Sequence, residues 1–560
     1  MARIIALLGV VCTALVSQHP ARRGALNALD KAIDISQPPV VVCVDDVQKL
    51  AQRLRANEAI DVLKEPDGVR AIFDDVISLA AKTKQPHGRT KDQARRLLSE
   101  LGYAEADESS ARELLVQAGV WNAHENLDVI RRGVPSAFDD DTKAEAQRCV
   151  DEPCADADAD VRMDLTRLDA FAVDDASAME IDDALSIEGD MLWVHVADPT
   201  RWVECGSPLD REARRRGASV YLPTGAVPMF PPAAVQLFSL DGDDRTETCA
   251  ISVGVQIGKQ GEIVGDPVVT TSRISVPRRL TYDAVDALLM DDASQDAAAA
   301  TFRHLVEALA RRREWRKRQG SLESLVSAQM PQMSVDVDAS FTVAVSVAHQ
   351  TPSRIVVQEA MLLFAHCVSA YSKKRRVPMP FRAQAAVPHS ELADRLERIP
   401  EGLARTWYAV KKQKPARVVS KAKSHAGLGL ESYVHATSPI RRYADVVAHF
   451  QLKASLRGIK GPFNAADVVQ LANSKAAAVA RQVANAAKKY WLREYLTQQA
   501  STRFDALVLE HSAEKASALV LLTTIGAILP LNSTKALSPG LAILVEATQH
   551  GEIRRVDPVA

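Results

Sequence analysis

The pattern of apolar residues changes along this chain of 560 residues, and these changes limit the folds it can adopt. Residues 25–133 follow a mostly helical pattern, interrupted by one predicted strand at Val40–Val44. After Asp164, alternating and β-branched runs such as Met191–Val196 and Ala250–Ile257 predict strands. Long amphipathic helices follow, and short strands return from Phe504 to Val556. We therefore predict a multidomain α+β protein.

Individual elements and domain limits follow from the same pattern. We predict a mostly helical, winged-helix-like region at 25–133, an acidic linker at 134–160, a large mixed domain at 161–500 and a short OB-like β-barrel at 501–560. The predicted helices are Asp92–Leu101, Ser109–Ala118 with Asp107 or Ser109 as its cap, Ala298–Arg318, Gln358–Ala370, Tyr443–Leu456 and Asp467–Gln498.

The first residues contain a short apolar run, Ile4–Val16, behind Arg3. This run is too short to span a bilayer, and its length suits a cleaved signal or an organellar presequence, so we predict a targeting segment at 1–24. A buried strand or helix of the first domain is the alternative. No other stretch reaches 18 uninterrupted apolar residues, so we expect the mature protein not to span a membrane.

Charges are segregated although the net charge is only -2. Residues 139–190 contain 18 Asp or Glu against four Lys or Arg, whereas residues 402–430 contain seven basic residues and no acid. This segregation indicates an acidic centre and a separate basic surface for a polyanion. The seven scattered cysteines do not form a disulfide framework.

The acidic centre includes four carboxylates within ten residues: Asp174, Glu180, Asp182 and Asp183. Such a cluster repels itself unless cations neutralise it, and hard oxygen ligands suit Mg²⁺ or Mn²⁺. An EF-hand loop is excluded because no Gly stands at its sixth position. A solvated acidic loop remains the alternative to a metal site for hydrolysis of a phosphodiester.

A second motif, Thr437–Tyr443, precedes the predicted helix at Tyr443–Leu456. Ser438 is predicted as the N-cap, with Pro439 in the first turn, which would place Arg441 and Arg442 near a helix N-terminus. Arginine there can bind a phosphate in bidentate fashion and offset charge in a transition state. A salt-bridged pair on a helix is the alternative.

Aromatic residues make up only 5% of the chain, so few rings can stack on bases. Tyr221 is the strongest candidate because it precedes a Pro/Gly loop. Trp202, Phe381 and Tyr433 are weaker candidates, and core packing is the alternative for each of them.

Seven blocks together resemble the RNase II/RNase R family of exoribonucleases, the RNB superfamily, and they look most like its plastid and mitochondrial branch in plants and algae. These blocks are Glu180–Ser186, His195–Pro199, Leu209–Pro223, Val227–Pro231, Gln319–Leu322, Gln358–Leu362 and Thr437–Tyr443. They occur in the family's order over about residues 164–500.

The resemblance implies a processive, monomeric 3′→5′ hydrolase that uses Mg²⁺ to release nucleoside 5′-monophosphates from single-stranded RNA, in a plastid or mitochondrion and otherwise in the cytoplasm. It implies that Asp174, Asp182 and Asp183 are catalytic or metal-binding and that Glu180 belongs to the same set. It also implies that Arg441 stabilises the transition state. Tyr221, Arg442, Tyr433 and Phe381 are the predicted RNA contacts.

Two departures from the family pattern leave alternatives open. Glu180 stands where many members have Asp, so a catalytically weakened RNA-binding homologue is one alternative function. The N-terminal region shows no clear pair of cold-shock barrels and the last barrel is short, which predicts weak and salt-sensitive RNA binding. A phosphohydrolase of small nucleotides is a third hypothesis, although a mononucleotide needs no extended basic track.

Overall fold

The computed structural model describes residues 44–56, 60–83, 91–241, 245–326 and 328–556. The chain divides into two compact units with a boundary between Asp140 and Asp141. The predicted targeting segment at 1–24, the helical pattern up to residue 43 and most of the strand predicted at Val40–Val44 lie outside the described residues.

The first unit contains helices and no strand among its described residues. Its helices are α1 (Val44–Arg55), α2 (Asp67–Ala80), α3 (Asp92–Leu101), α4 (Glu108–Gln117) and α5 (Leu127–Arg131). The predicted limits of α3 are confirmed, and α4 begins one residue earlier than predicted because Asp107 accepts a hydrogen bond from the Ser110 amide. These helices enclose a common core that includes Phe73, Leu98 and Trp121.

The second unit is built on a seven-stranded mixed sheet. Its strands are β1 (Met163–Asp164), β2 (Phe171–Asp174), β3 (Asp183–Glu188), β4 (Met191–Ala197), β7 (Glu247–Ile257), β8 (Ile263–Ser275) and β9 (Arg278–Thr281). They lie in the order β1-β8-β7-β4-β3-β2-β9, with β1–β8 and β2–β9 parallel and the other pairs antiparallel.

Three short antiparallel pairs extend from the second unit. They are β5 (Val220–Leu222) with β6 (Gly225–Val227), β10 (Gln332–Val337) with β11 (Val343–Ala348), and β12 (Phe381–Ala383) with β13 (Arg417–Val419).

Helices cover both faces of the sheet. The helices from residue 140 onward, some of which pack on the barrel and on the short strand pairs instead, are α6 (Asp140–Asp151), α7 (Pro208–Arg216), α8 (Pro232–Phe238), α9 (Tyr282–Met290), α10 (Ala297–Arg318), α11 (Pro352–Arg375), α12 (His389–Glu397), α13 (Leu403–Lys412), α14 (Tyr443–Leu456), α15 (Ala465–Ala472) and α16 (Lys475–Gln498). Alternation along β4 places Leu192 and Val194 in one core cluster and Trp193 in the other. The segment predicted as one helix, Asp467–Gln498, is two helices, because Ser474 caps α16 after α15 has ended.

One helix of the described residues, α11, is long and apolar enough to cross a membrane, and 72% of its most apolar window is buried inside the protein. It packs against the sheet and α10, as the core helix of a globular domain does.

The last five strands form the predicted OB-like barrel. They are β14 (Arg503–Ser512), β15 (Ser517–Leu522), β16 (Ala527–Asn532), β17 (Ala542–Ala547) and β18 (Ile553–Arg555). They are paired in the order β16-β15-β14-β17-β18, and β16 also contacts β18. This is the five-stranded, partly open arrangement of an OB-fold.

The acidic stretch at 134–160 is not a freely solvated linker. It contains the whole of α6, and Asp158 is 1% exposed. The Nζ of Lys453 lies 2.8 Å from a carboxylate oxygen of both Asp158 and Asp198. Arg162 bonds Asp156 and Asp198 in the same buried network. The low complexity of the sequence predicted a solvated linker here, but these carboxylates are buried because Lys453 and Arg162 pair with them.

Candidate active site

The carboxylate cluster lies where β2 ends and β3 begins. Asp174 is the last residue of β2 and Asp183 the first of β3, and these neighbouring strands run antiparallel. Because β2 and β3 pair only at Phe171 and Leu185, the segment between them departs from the sheet. Asp182 itself still continues the pairing of β3 with β4, because its carbonyl accepts a hydrogen bond from the Ala197 amide at 2.8 Å.

Asp182 is 4% exposed and contacts the arginine motif directly. Its Oδ1 accepts a hydrogen bond from the Ile440 amide at 3.1 Å, and its Oδ2 accepts one from Arg441 Nε at 3.2 Å. The two segments are 258 residues apart in sequence. The fold thus brings together the carboxylates and the arginine that the sequence singles out.

The arginine motif is a turn that precedes the helix. The amides of Arg441 and Arg442 both donate to the Ser438 carbonyl, and α14 begins only at Tyr443. The prediction that Ser438 caps this helix and that Pro439 lies in its first turn was therefore wrong. The Ser438 amide instead donates to Asp445 Oδ2 at 2.9 Å, so a carboxylate of the first helical turn holds this segment.

Negative charge exceeds positive charge around the aspartates. Burial raises the pKa of Asp182 to about 7, against the opposing influence of Arg441. Burial, followed by repulsion from Asp182 and Asp174, raises the pKa of Asp183 to about 8. The pKa of Asp174 is also raised, again mainly by burial. The nearby arginines, Arg441, Arg442 and Arg279, lower these pKa values but do not offset the effect of burial.

The donors fit a hard divalent cation such as Mg²⁺. Asp174, Asp182 and Asp183 are buried or half-buried oxygen donors with too little positive charge around them. Among the described residues, no group of three His, Cys, Asp or Glu side chains is already drawn together as a metal site. The chemistry of the donor set therefore fits the ion, while the three side chains are not arranged as a closed cage.

Glu180 occupies a different environment from the three aspartates. Its Oε1 accepts a hydrogen bond from Ser219 Oγ at 3.0 Å, and its Oε2 accepts one from the Tyr221 hydroxyl. Tyr221 is 45% exposed, so part of the ring is open to solvent while its hydroxyl is held. The structure thus places Tyr221 beside Glu180, and its contact with RNA stays a prediction.

Two predicted RNA contacts have mainly structural partners. Phe381 is 3% exposed and packs in the core of the sheet, which leaves no ring face open for a base, so the structure does not support it as a stacking residue. Arg442 donates to Asp445 at 2.6 Å and to Thr437 Oγ1 at 3.2 Å. The contact of Arg442 with RNA stays a prediction.

Tyr433 lies between two histidine rings. Its ring centroid is 5.6 Å from His425 and 5.5 Å from His435, both in edge-to-face contact. Burial, together with nearby arginines, lowers the pKa of His425 to about 4 and that of His435 to about 3. Both rings are therefore neutral at pH 7, and the positive charge here comes from arginine.

Two further arginines were not predicted from the sequence: Arg382, which lies beside Tyr433, and Arg481, which lies near Arg382. The Arg382 amide donates to the Tyr433 carbonyl, and burial and then repulsion by Arg442 and Arg481 lower the pKa of Arg382. Within the described part of the chain, the side chains of Arg382 and Arg481 have no acidic partner within 4.0 Å. Neither belongs to a charge run, so only the fold shows that they join Arg442.

The basic segment predicted as a polyanion surface is exposed. Lys412, Lys414, Arg417, Lys421 and Lys423 are all exposed, and β13 carries Arg417 beside β12, which carries Arg382. The basic surface is thus continuous in structure with the arginines around Tyr433.

Comparison with protein families identifies the unit that carries this site. The family model for the RNB domain matches residues 162–458, more than half of the chain, and a double HTH domain model of the RNase II type matches residues 44–127. The chain belongs to the RNB family. The resemblance inferred from the seven blocks is confirmed.

Two relatives extend this family assignment. An uncharacterised ribonuclease of Synechocystis is 35% identical over 465 residues, which cover 80% of this chain and 67% of that protein. The chloroplastic/mitochondrial ribonuclease II of Arabidopsis thaliana is 34% identical over 426 residues, which cover 74% of this chain and 52% of that protein. The chain thus spans about two thirds of the first relative and about half of the second. The predicted likeness to the plastid-type branch is confirmed.

Solved structures share the fold. RNase R of Mycoplasma genitalium, in complex with ribose-methylated single-stranded RNA, aligns with a TM-score of 0.64 at 15% identity over 79% of this chain and 78% of that chain. The Dss1 exoribonuclease of Candida glabrata aligns with a TM-score of 0.67 at 18% identity over 91% of this chain and 70% of that chain. The predicted multidomain α+β architecture is confirmed.

Proposed function

We propose that this RNB protein is a 3′→5′ exoribonuclease that hydrolyses single-stranded RNA to nucleoside 5′-monophosphates with Mg²⁺, for which Mn²⁺ can substitute. One observation carries the proposal: Asp182 bonds both the Ile440 amide and Arg441 Nε. This contact unites a carboxylate cluster with a phosphate-binding cation, the two elements that phosphodiester hydrolysis requires.

The reaction adds water to the phosphorus of the terminal nucleotide. The bond to the preceding 3′-oxygen breaks, that oxygen takes a proton and stays on the shortened RNA, and the phosphate leaves on the released nucleotide. Bound Mg²⁺ would supply an activated water and charge neutralisation. Asp174, Asp182 and Asp183 would hold the ion.

Arg441 is placed to offset charge on the non-bridging oxygens. Its Nε is engaged with Asp182, while its side chain remains 44% exposed, so the other guanidinium nitrogens are accessible to a substrate phosphate. Since the Asp182 carboxylate is fixed by a backbone amide as well, Arg441 is held before the substrate arrives. Such preorganised donors contribute most to stabilisation of a transition state.

The surroundings support a single RNA strand as substrate. The exposed part of Tyr221 suits a base, and the arginines near Tyr433 together with the basic surface suit a phosphate backbone. The solved RNase R of M. genitalium is described in complexes with single-stranded and with double-stranded RNA, which agrees with RNA as the substrate class. A phosphohydrolase of mononucleotides would not need this extended surface.

The decisive assay is a time course on 5′-labelled single-stranded RNA with Mg²⁺, run beside EDTA and the Asp182→Asn protein. We expect a ladder that shortens from the 3′ end, no shortening in EDTA, and a rate at least about 10²–10³-fold lower for Asp182→Asn. Asp190→Asn is the matched control, because Asp190 is exposed beyond the far end of β3. Turnover of Asp182→Asn at the control's rate would refute the site.

An RNA-binding homologue without catalysis is the second candidate. The fold of this chain also aligns with that of yeast Ssd1, described as a pseudonuclease, with a TM-score of 0.53 at 20% identity. Retention of Asp174, Asp182, Asp183 and Arg441 favours the active enzyme. RNA that shifts in a binding gel but stays intact would favour the second candidate.

We further propose an organellar location, supported by the name of the Arabidopsis relative. Imaging of the full chain fused to a fluorescent protein tests this, and a diffuse cytoplasmic signal would contradict it. The monomeric state stays a prediction.

A further inference from the structure

We propose that Glu180 is a positioning residue for Tyr221 and does not belong to the metal-holding set, which consists of Asp174, Asp182 and Asp183. In this role Glu180 fixes the ring that receives the 3′-terminal nucleotide. The inference rests on the proposed exoribonuclease function.

The two oxygens of Glu180 both have donors on one short segment. Ser219 Oγ donates to Oε1 and the Tyr221 hydroxyl donates to Oε2. The Ser219 hydroxyl is itself fixed, because its oxygen accepts a hydrogen bond from the Met229 amide at 3.0 Å. These bonds therefore fix the orientation of the Glu180 carboxylate, with one of its oxygens on the Tyr221 hydroxyl.

The spacing of the donors explains this arrangement. Ser219 and Tyr221 are two residues apart where the chain enters β5, so extended backbone directs both side chains to the same side. The Tyr221 hydroxyl can donate only one hydrogen bond, and Glu180 accepts it. Burial, and then the charge and hydrogen bond of Glu180, raise the pKa of the Tyr221 hydroxyl, which agrees with a phenol that keeps its proton.

The length of the side chain matters. An Asp at this position would be shorter by one carbon–carbon bond of about 1.5 Å and could not hold both donors from the same backbone position. The three aspartates lack this relation: Asp182 faces the turn at Ile440 and Arg441, and among the described residues Asp183 receives no side-chain hydrogen bond. The extra methylene of Glu180, relative to the Asp of many family members, thus lets the carboxylate reach both Ser219 and Tyr221.

The same segment also links Tyr221 to Arg441. The Ser219 amide donates to the Arg441 carbonyl at 3.1 Å, and Ala218 bridges to Arg442. The segments that carry the ring and the guanidinium are therefore joined by backbone hydrogen bonds. Fixing the ring fixes where the last base lies relative to Arg441.

A double-mutant cycle tests the pairing without turnover. Binding of an oligoribonucleotide with 2-aminopurine at its 3′ end is followed by fluorescence in EDTA for wild type, Glu180→Ala, Tyr221→Phe and the double variant. We expect each single change to raise the Kd about 3–10-fold and the double change to raise it no further. Single effects that multiply would overturn the proposal.

The conservative variant Glu180→Gln separates positioning from metal binding. An amide can still bond Ser219 and the Tyr221 hydroxyl, so we expect a Kd within about twofold of wild type. Mn²⁺ binding, measured by electron paramagnetic resonance, should also change less than about twofold, whereas a lost carboxylate ligand would weaken it by about tenfold or more. A tenfold loss of Mn²⁺ affinity in Glu180→Gln would place Glu180 among the metal ligands.

Glu188→Ala is the matched control, since Glu188 ends β3 on the side away from Asp183. The two proposals fail in different ways. Absence of RNA shortening by the wild-type protein would refute the exoribonuclease, while the cycle in EDTA would still report the pairing of Glu180 with Tyr221. Independent effects of the two residues in that cycle would refute the pairing, whatever the turnover.

Discussion

Replacement of Lys453 by Met is expected to destabilise the second unit strongly. Lys453 lies on α14, and its Nζ makes contacts of 2.8–2.9 Å with both oxygens of Asp198 and one of 2.8 Å with Asp158. All three groups are almost fully buried. Methionine fills a similar volume, so the main loss is charge and not packing.

The magnitude follows from what remains after the change. Arg162 still contacts Asp198 at 2.8 Å and Asp158 at 3.7 Å, and Arg457 contacts Asp158 at 3.6 Å. The carboxylates are thus under-neutralised without being wholly unpaired. Loss of one partner of a buried ion pair costs about 3–5 kcal/mol, and we expect a loss within this range.

The assay is urea-induced unfolding of the full chain, followed by tryptophan fluorescence. Lys374→Met is the matched control, because Lys374 pairs with Asp266 while the two side chains are 71% and 85% exposed, and this change should cost less than about 1 kcal/mol. Equal unfolding midpoints for the two variants would refute the argument that the buried network holds the sheet to α14.

Two further predictions concern the RNA surface and the core. Arg382→Gln and Arg481→Gln should each weaken binding of single-stranded RNA, measured by fluorescence anisotropy, and should each reduce the magnitude of the slope of log K against log salt by about 0.7. The control Arg167→Gln should leave this slope unchanged, because Arg167 lies far from the site, at the Glu188 end of β3. A slope that all three changes leave equal would contradict a phosphate contact. Gly254→Ala should destabilise the second unit by about 1–3 kcal/mol in urea unfolding, because the added Cβ would lie 2.8 Å from atoms of the buried Trp193 ring, and an unchanged midpoint would contradict close packing there.

Much of the fold follows from local pattern. The limits of α3 match the periodicity because it is an amphipathic helix that ends at Gly102. The limits of α14 also match, although most of its residues are buried and its predicted cap was wrong. The strands of the sheet and of the barrel follow from alternation and from Gly or Pro turns. The break between α15 and α16 was missed because apolar periodicity continues across Asn473 and Ser474.

The site is predicted less evenly. Asp182 and Arg441 come from residue chemistry and motif, and the fold brings them into contact. The Ser438 cap failed because Ser438 begins a turn, held by the bond from its amide to Asp445, and the helix starts only at Tyr443. No local pattern encodes the contact with Asp445, seven residues later. The burial of Asp158 and Phe381, and the grouping of Arg382 with Arg481, depend on contacts between distant segments.

The helix α16 has a mechanical consequence. Its 24 residues form a rod about 36 Å long. Its first turn lies against Gly217, where an added Cβ would be 2.6 Å from the Ala477 nitrogen, its flank contacts β5, and its last turns place Leu492 and Leu496 in the core of the barrel. Because this one helix contacts both β5, the strand that bears Tyr221, and the core of the barrel, a displacement of the barrel would be transmitted along it to Tyr221.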